Sequence, residues 1–288
     1  MKSWFFFVLF LLVFRATPIL SINDYESLHQ IIENFAFTHP GNISVSFTDL
    51  TNDRTVSVAP DRLFNPASVI KVAVMVEVYR QVALKRLSLD DKIVMHQRDK
   101  VGGSGTLQFQ RSGGSYSVRY LVEQMITISD NTATYLLINR VGKANINRTM
   151  RRLGLRSTMI GEANLLKAEG INFSTAGDMG LLFTRIYHKD VISKEASDEM
   201  LAILGRQHVK WGIPKYLPVA VRVANKTGTL AYVKNDAGIV FLEGRPYVLS
   251  VFTSKAESRP FATTWVAQIS RLVFDWRTGE GKGYGYVN

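Results

Sequence analysis

Ser68-Val69-Ile70-Lys71-Val72-Ala73-Val74 sets a serine and a lysine three residues apart in an otherwise apolar run. Ser129-Asp130-Asn131 and Lys226-Thr227-Gly228-Thr229 follow it, and none of the three patterns recurs in the 288-residue chain. On a helix, residues three apart share a face, so the Ser68 hydroxyl and the Lys71 amine can meet. A lysine among apolar neighbours either snorkels or is buried. Burial favours the neutral amine, which can take the serine proton as the oxygen attacks a carbonyl. Singly, each pattern has an ordinary reading, as a capping serine, a helix N-cap or a strand-end lysine before a turn. Together and in this order they make a serine acyl-transfer site.

The remaining roles follow from residue type. Asn65-Pro66 suits a helix start, which sets a helix N-terminus near Ser68. Ser129 can relay a proton to a leaving nitrogen, and Asn131 can hold an acyl amide. Asp130 is assigned to backbone hydrogen bonds, because a carboxylate beside the base would oppose a neutral lysine. Lys226, Thr227, Gly228 and Thr229 lie on an expected strand, where Gly228 admits close approach of a substrate backbone. The amides of Ser68 and Thr229 suit an oxyanion hole, while Lys226 and the Thr229 hydroxyl suit a carboxylate. Lys226 also supplies a second cation to depress Lys71.

Composition narrows the alternatives. The chain is 46% hydrophobic and long enough for one large core or two intertwined ones. It has no cysteine, which removes disulfides, thiol catalysis and thiolate metal sites. His29, His39, His96, His188 and His208 are scattered singly, so no zinc hydrolase and no cofactor are expected. Lys2 followed by the apolar run Trp4 to Phe14 reads as a secretory signal, with residues 1–21 removed and an uncleaved anchor as the alternative. The product would be secreted or periplasmic. The net charge is +11, and losing Lys2 and Arg15 leaves +9. That charge reads first as an ordinary basic surface, and among anionic partners it suits an envelope polymer or membrane surface better than nucleic acid, since the basic residues are spread along the chain without an arginine-rich run or a binding module.

Along the chain, Asp24 to Phe37 has helical apolar spacing, and Ile43-Ser44-Val45-Ser46-Phe47 with Thr55 to Val58 reads as a hairpin. Helical patterns cover Ile70 to Val82, Val118 to Ile128, Thr132 to Val141, Ala144 to Leu153 and Met179 to Tyr187. Strands return in Val219 to Asn225, Ala231 to Leu242 and Tyr247 to Thr253, and a helix follows from Pro260 to Trp276. The order strands, helices, strands puts both chain ends into one antiparallel sheet. Residues 22–60 and 205–288 are therefore expected to form an α/β lobe, and 61–204 an all-helical lobe. The glycine-rich tail from Gly279 to Gly285 reads as frayed.

With its three motifs in this order, the chain resembles the penicillin-recognising serine hydrolases, most closely class A β-lactamases and class A-like penicillin-binding proteins. Leu217-Pro218 and Ser174-Thr175-Ala176-Gly177-Asp178-Met179 extend the resemblance over nearly the whole mature chain. It implies an α+β fold, an αβα sandwich with a five-stranded antiparallel sheet plus an all-helical lobe, with the site between them. It implies Ser68 as acylated nucleophile, Lys71 as part of the base, Ser129 as relay, Asn131 as amide ligand, and Lys226 with Thr229 as carboxylate ligands.

Two positions depart from the family pattern. The family's Ω loop carries a glutamate that activates the deacylating water, whereas the stretch from Ser157 to Ser174 is shorter and offers only Glu162 and Glu169. Glu162 lies nearer the expected place. The family also aims an arginine at the substrate carboxylate from the next strand, where this chain has Asp236. The resemblance implies a monomeric, exported β-lactam hydrolase. The alternatives are a D-Ala-D-Ala peptidase or transpeptidase with slow deacylation, acting on cell-wall peptide, and a covalently acylated β-lactam sensor.

Overall fold

The computed structural model describes residues 22–39, 41–167, 170–255 and 259–280. The signal segment, Glu169 and most of the glycine-rich tail lie outside them. The chain opens with helix α1 (Ile22–Thr38) and strands β1 (Asn42–Asp49) and β2 (Thr55–Val58). Next come α2 (Lys71–Ala83), a small ribbon of β3 (Lys92–Val94) and β4 (Ser115–Ser117), α3 (Val118–Thr127), α4 (Asn131–Val141) and α5 (Lys143–Arg152). Then follow α6 (Ala176–Tyr187), α7 (Lys194–Gly205), β5 (Arg222–Leu230), β6 (Val233–Phe241), β7 (Tyr247–Ser254) and α8 (Arg259–Thr278).

The five long strands form one antiparallel sheet in the order β2-β1-β7-β6-β5. β1 pairs with β7 from Asn42↔Ser254 to Asp49↔Tyr247, so both chain ends share the sheet. One sheet face packs Ile43, Val45, Phe47, Leu249 and Val251 against Leu28 and Ile32 of α1 and Val266, Ile269 and Val273 of α8. The other packs Ala224, Ala237, Ile239 and Phe252 with the helical core of α2, α3, α4 and α6.

β1 and β2 pair as the expected hairpin, and both faces of β1 are covered. Ser44, Ser46 and Thr48 are buried. Ser44 donates to the Ala59 carbonyl at 2.8 Å. A Cβ on Gly180 of α6 would come within 2.8 Å of Ser46 Oγ, so small residues on both sides let α6 lie close to the sheet. The strand after Leu217-Pro218 runs Arg222–Leu230, later than its sequence pattern suggested, which puts Lys226 at mid-strand. Helix α7 shows only Met200, Ile203 and Leu204 as buried large apolar residues, too sparse a stripe to register in the sequence.

The two ends of the chain are joined by a buried charge cluster. Arg277 on α8 (3% exposed) meets Asp49 (1% exposed) at 2.6 Å, and Tyr25 Oη donates to the same carboxylate at 2.6 Å. Arg277→Met should therefore lower unfolding stability by about 3–5 kcal/mol, because it strands a buried carboxylate. Denaturant unfolding with an unchanged midpoint would show that Tyr25 and Thr51, which also donates to this carboxylate, satisfy Asp49 without the arginine.

Candidate active site

Ser68 sits in a 3-10 turn, Ala67–Ile70, that leads directly into α2. The residue before it is strained, because Ala67 has φ +48°, a left-handed conformation that costs an alanine about 1–3 kcal/mol. Three contacts hold the turn. Asn65 Oδ1 accepts from the Ala67 amide at 2.9 Å. The buried Asn235 of β6 donates to the Asn65 carbonyl at 3.0 Å. Gly228 of β5 comes so near that an added Cβ would lie 2.6 Å from the Pro66 oxygen and 3.1 Å from the Ser68 nitrogen. Only glycine permits that approach. β5 is the sheet edge, so one side of its backbone borders the groove at Ser68.

Lys71, one helical turn after Ser68, is fully buried. Its Nζ donates to the Ser129 carbonyl at 2.7 Å, Ser129 Oγ at 3.0 Å and Asn131 Oδ1 at 2.8 Å. Lys226, also fully buried, donates to the same Ser129 Oγ at 3.1 Å and to the Thr227 carbonyl at 2.9 Å. One hydroxyl thus bridges two lysines drawn from α2 and β5. Burial first, and the neighbouring Lys226 charge second, hold Lys71 well below the usual lysine range, against an opposing pull from Asp130. Burial lowers Lys226 to about 7, with the Asp236 charge acting to keep it protonated. Both buried amines are thus shifted toward the neutral form.

Ser129-Asp130-Asn131 forms the connection between α3 and α4, and Ser129 is left-handed with φ +60°. The fully buried Asp130 caps α4 through the Ala133 amide at 2.8 Å and accepts from the Thr106 and Leu107 amides at 2.7 and 2.9 Å. These bonds tie the motif to the segment around Gly103 and Ser104. Gly105 is required there, since its Cβ would overlap the Asp130 carboxylate at 2.2 Å. Asn131 Nδ2 donates to the Gly102 carbonyl at 2.9 Å, so both ends of its amide are engaged.

A cavity of about 160 Å³ opens above this cluster, lined by Ser68, Gly103, Ser104, Asn131, Thr229 and Leu230 together with Leu165 and Leu166. The glycine punctuation at 102–105 was visible in the sequence, but its place in the wall was not. Nor was the leucine pair. Glu162 belongs to the same loop, yet its Oε1 accepts from the Asn164 amide at 2.7 Å and it is absent from the cavity lining. Asn172 clasps this part of the loop by accepting from the Gly161 and Glu162 amides and donating to the Glu162 carbonyl.

On the other sheet face, Asp236 lies opposite Thr227. It is buried and accepts from Asn225 Nδ2 at 2.9 Å and from the Ile213 amide at 2.7 Å. Burial pushes its carboxyl up to about 6. Lys234, opposite the exposed Thr229, brings its ammonium within 3.5 Å of Thr229 Oγ1 and 5.2 Å of the Trp211 ring.

A serine on a strained turn, a buried lysine and a hydroxyl that bridges two lysines meet at this one cavity. Residues 27–277 match the model of the β-lactamase enzyme family, and the chain belongs to that family. Its relatives include a β-lactamase of Streptomyces albus G, 29% identical over 73% of this chain and 71% of that one. β-Lactamase BRO-1 of Moraxella catarrhalis is 22% identical over 74% and 71%. Among solved structures, PBP-A superposes with a TM-score of 0.81 at 28% identity, covering 90% of this chain and 96% of that one. A β-lactamase from Sphaerobacter thermophilus gives a TM-score of 0.82 at 28% identity over 88% and 97%. The fold is that of the β-lactamases and related transpeptidases, with the five-stranded antiparallel sheet expected of it.

Two outcomes follow from the geometry. Gly228→Ala should slow acylation about a hundredfold by pushing β5 off the Ser68 turn, with circular dichroism unchanged; a near-normal rate would mean the turn yields without cost. The free-enzyme pH profile of kcat/KM should fall on its alkaline side near pH 7, as Lys226 loses its proton and with it the attraction for an anionic substrate. Lys226→Arg should carry that limb upward, since arginine stays charged. A limb that does not move would assign it to another group.

Proposed function

We propose that the protein is an exported β-lactamase that opens the β-lactam amide through an acyl-enzyme on Ser68. The observation that carries this reading is the Lys71–Ser129–Lys226 chain of hydrogen bonds, which draws all three motifs to one point. Lys71 as a neutral amine takes the Ser68 proton while the serine oxygen attacks the carbonyl carbon. Ser129, already bonded to both lysines, passes that proton to the ring nitrogen as the amide breaks. The Ser68 and Thr229 amides face the developing oxyanion, and Asn131 holds the acyl side chain. Lys226, Thr227 and Thr229 receive the carboxylate, with Gly228 allowing the strand to lie against the turn.

Deacylation is assigned to Glu162. To activate a water, its carboxylate must leave the Asn164 amide and turn toward the ester. A cell-wall peptide with a D-Ala-D-Ala end is the alternative substrate for the same acylation residues. Export through the N-terminal segment and a monomeric state complete the reading. No helix among the described residues is long and apolar enough to cross a membrane.

Burst and steady-state kinetics with a chromogenic cephalosporin test the proposal, beside Ser68→Ala and Glu162→Gln. Sustained turnover is expected, lost together with fluorescent-penicillin labelling in Ser68→Ala. Glu162→Gln should accumulate labelled enzyme without slowing its formation. A single stoichiometric burst from the unaltered protein would replace hydrolysis by a persistent acyl-enzyme, and unchanged turnover in Glu162→Gln would move the second step to another base.

A further inference from the structure

Between Asn131 and Gly161 the chain contains no aspartate or glutamate, yet it contains Arg140, Lys143, Arg148, Arg151, Arg152 and Arg156. Arg140 meets Asp91 at 3.5 Å, and Lys143 donates to the Gly161 carbonyl. The other four are exposed, and none forms an ion pair among the described residues. Three of them sit on α5, where Arg148 stands three and four residues before Arg151 and Arg152. Like charges at that spacing repel and weaken the helix. Inward, α5 is anchored by the buried Ile146, Thr149 and Met150, so its cationic side faces outward.

The loop beside that stripe adds apolar tips. Positions 143, 147 and 151 form one row along α5. Lys143 bonds the Gly161 carbonyl and Asn147 bonds both backbone groups of Ile160, so the loop runs along this row. On it, Met159 is 42% exposed, and Ile171, packed against Gly161, is also 42% exposed. Arginine forks suit phosphate diesters, and exposed apolar side chains at their edge suit the interface of a bilayer more than a soluble polyanion.

We propose that the outer face of α5 docks the protein onto a membrane surface bearing anionic phospholipid. Arg148, Arg151, Arg152 and Arg156 pair with headgroup phosphates while Met159 and Ile171 enter the headgroup layer. The N-terminal apolar run, read above as an export signal, would take the chain past such a surface. The proposal deepens the anionic-surface expectation drawn from net charge and is independent of whether the enzyme hydrolyses its acyl intermediate.

Co-sedimentation of the full chain with phosphatidylglycerol vesicles and with phosphatidylcholine vesicles tests it, because any contribution of the apolar N-terminus appears with both. Binding should be stronger to phosphatidylglycerol and fall with added salt. Each arginine should contribute roughly fivefold, so Arg151→Gln/Arg152→Gln should weaken the anionic preference about 25-fold. The fourfold glutamine variant should abolish it, with melting temperature and Ser68 labelling unchanged. Equal binding to both vesicle types would overturn the proposal, as would an anionic preference that is undiminished in the double variant or survives in the fourfold one. Capture by soluble polyphosphate without vesicle binding would also overturn it and assign the stripe to a polymer.

Discussion

Two ammonium groups share one hydroxyl inside this protein, and everything near the site is arranged around that conflict. Lys71 and Lys226 are both removed from water and both bonded to Ser129 Oγ. Taking an unpaired ammonium out of water costs several kcal/mol. The nearby carboxylates do not neutralise them by contact. Asp130 gives its oxygens to three backbone amides, and Asp236 gives its oxygens to Asn225 and Ile213. Each acts on its lysine only through space, raising it against the desolvation that lowers it. Burial and the second ammonium shift Lys71 toward its neutral form. The energy behind that shift is stored by folding, chiefly by the apolar sleeve of α2 and the packing of β5 beside it.

Residues whose chemistry dictates their type were legible in the sequence. Serine, lysine, asparagine and glycine at the three motifs have no equivalent substitutes, and the structure brings all three motifs to one cavity. The sheet and most helices were legible as well, because Leu28, Ile32, Val266 and Ile269 keep helical spacing and β1 alternates. What escaped was set by packing across long separations. The alternation of Ile43, Ser44 and Val45 looks the same whether the serine face meets water or Gly180. The strain at Ala67 has no sequence signature, since it is imposed by the Asn65 turn and by Gly228 some 160 residues later. Leu165 and Leu166 resemble any apolar loop pair until the loop is folded over Ser68.

Asp130 illustrates how a reading can be right in kind and incomplete in detail. Its side chain does fix the loop through backbone amides, as its residue type suggested. Its charge nevertheless reaches Lys71 and opposes neutrality there. The fold tolerates this because the oxygens are already committed to three donors, which leaves less of the negative potential for the amine. The same logic applies to Asp236, which stands where an arginine would otherwise be expected. Held by Asn225 and Ile213, it supports the strand that carries Lys226 from the far side of the sheet.

The pairing of β1 with β7 has a temporal consequence. The Ser68 turn is synthesised in the first quarter of the chain, but Gly228, Lys226 and Asn235, which press it into shape and charge it, come from the last quarter. Contacts of such long sequence separation form late, after loop closure has been overcome. A chain that emerges from its N-terminus onward therefore carries an unshaped Ser68 turn until nearly all of it is free to fold. The cluster around Ser68 is completed by the last strands to arrive.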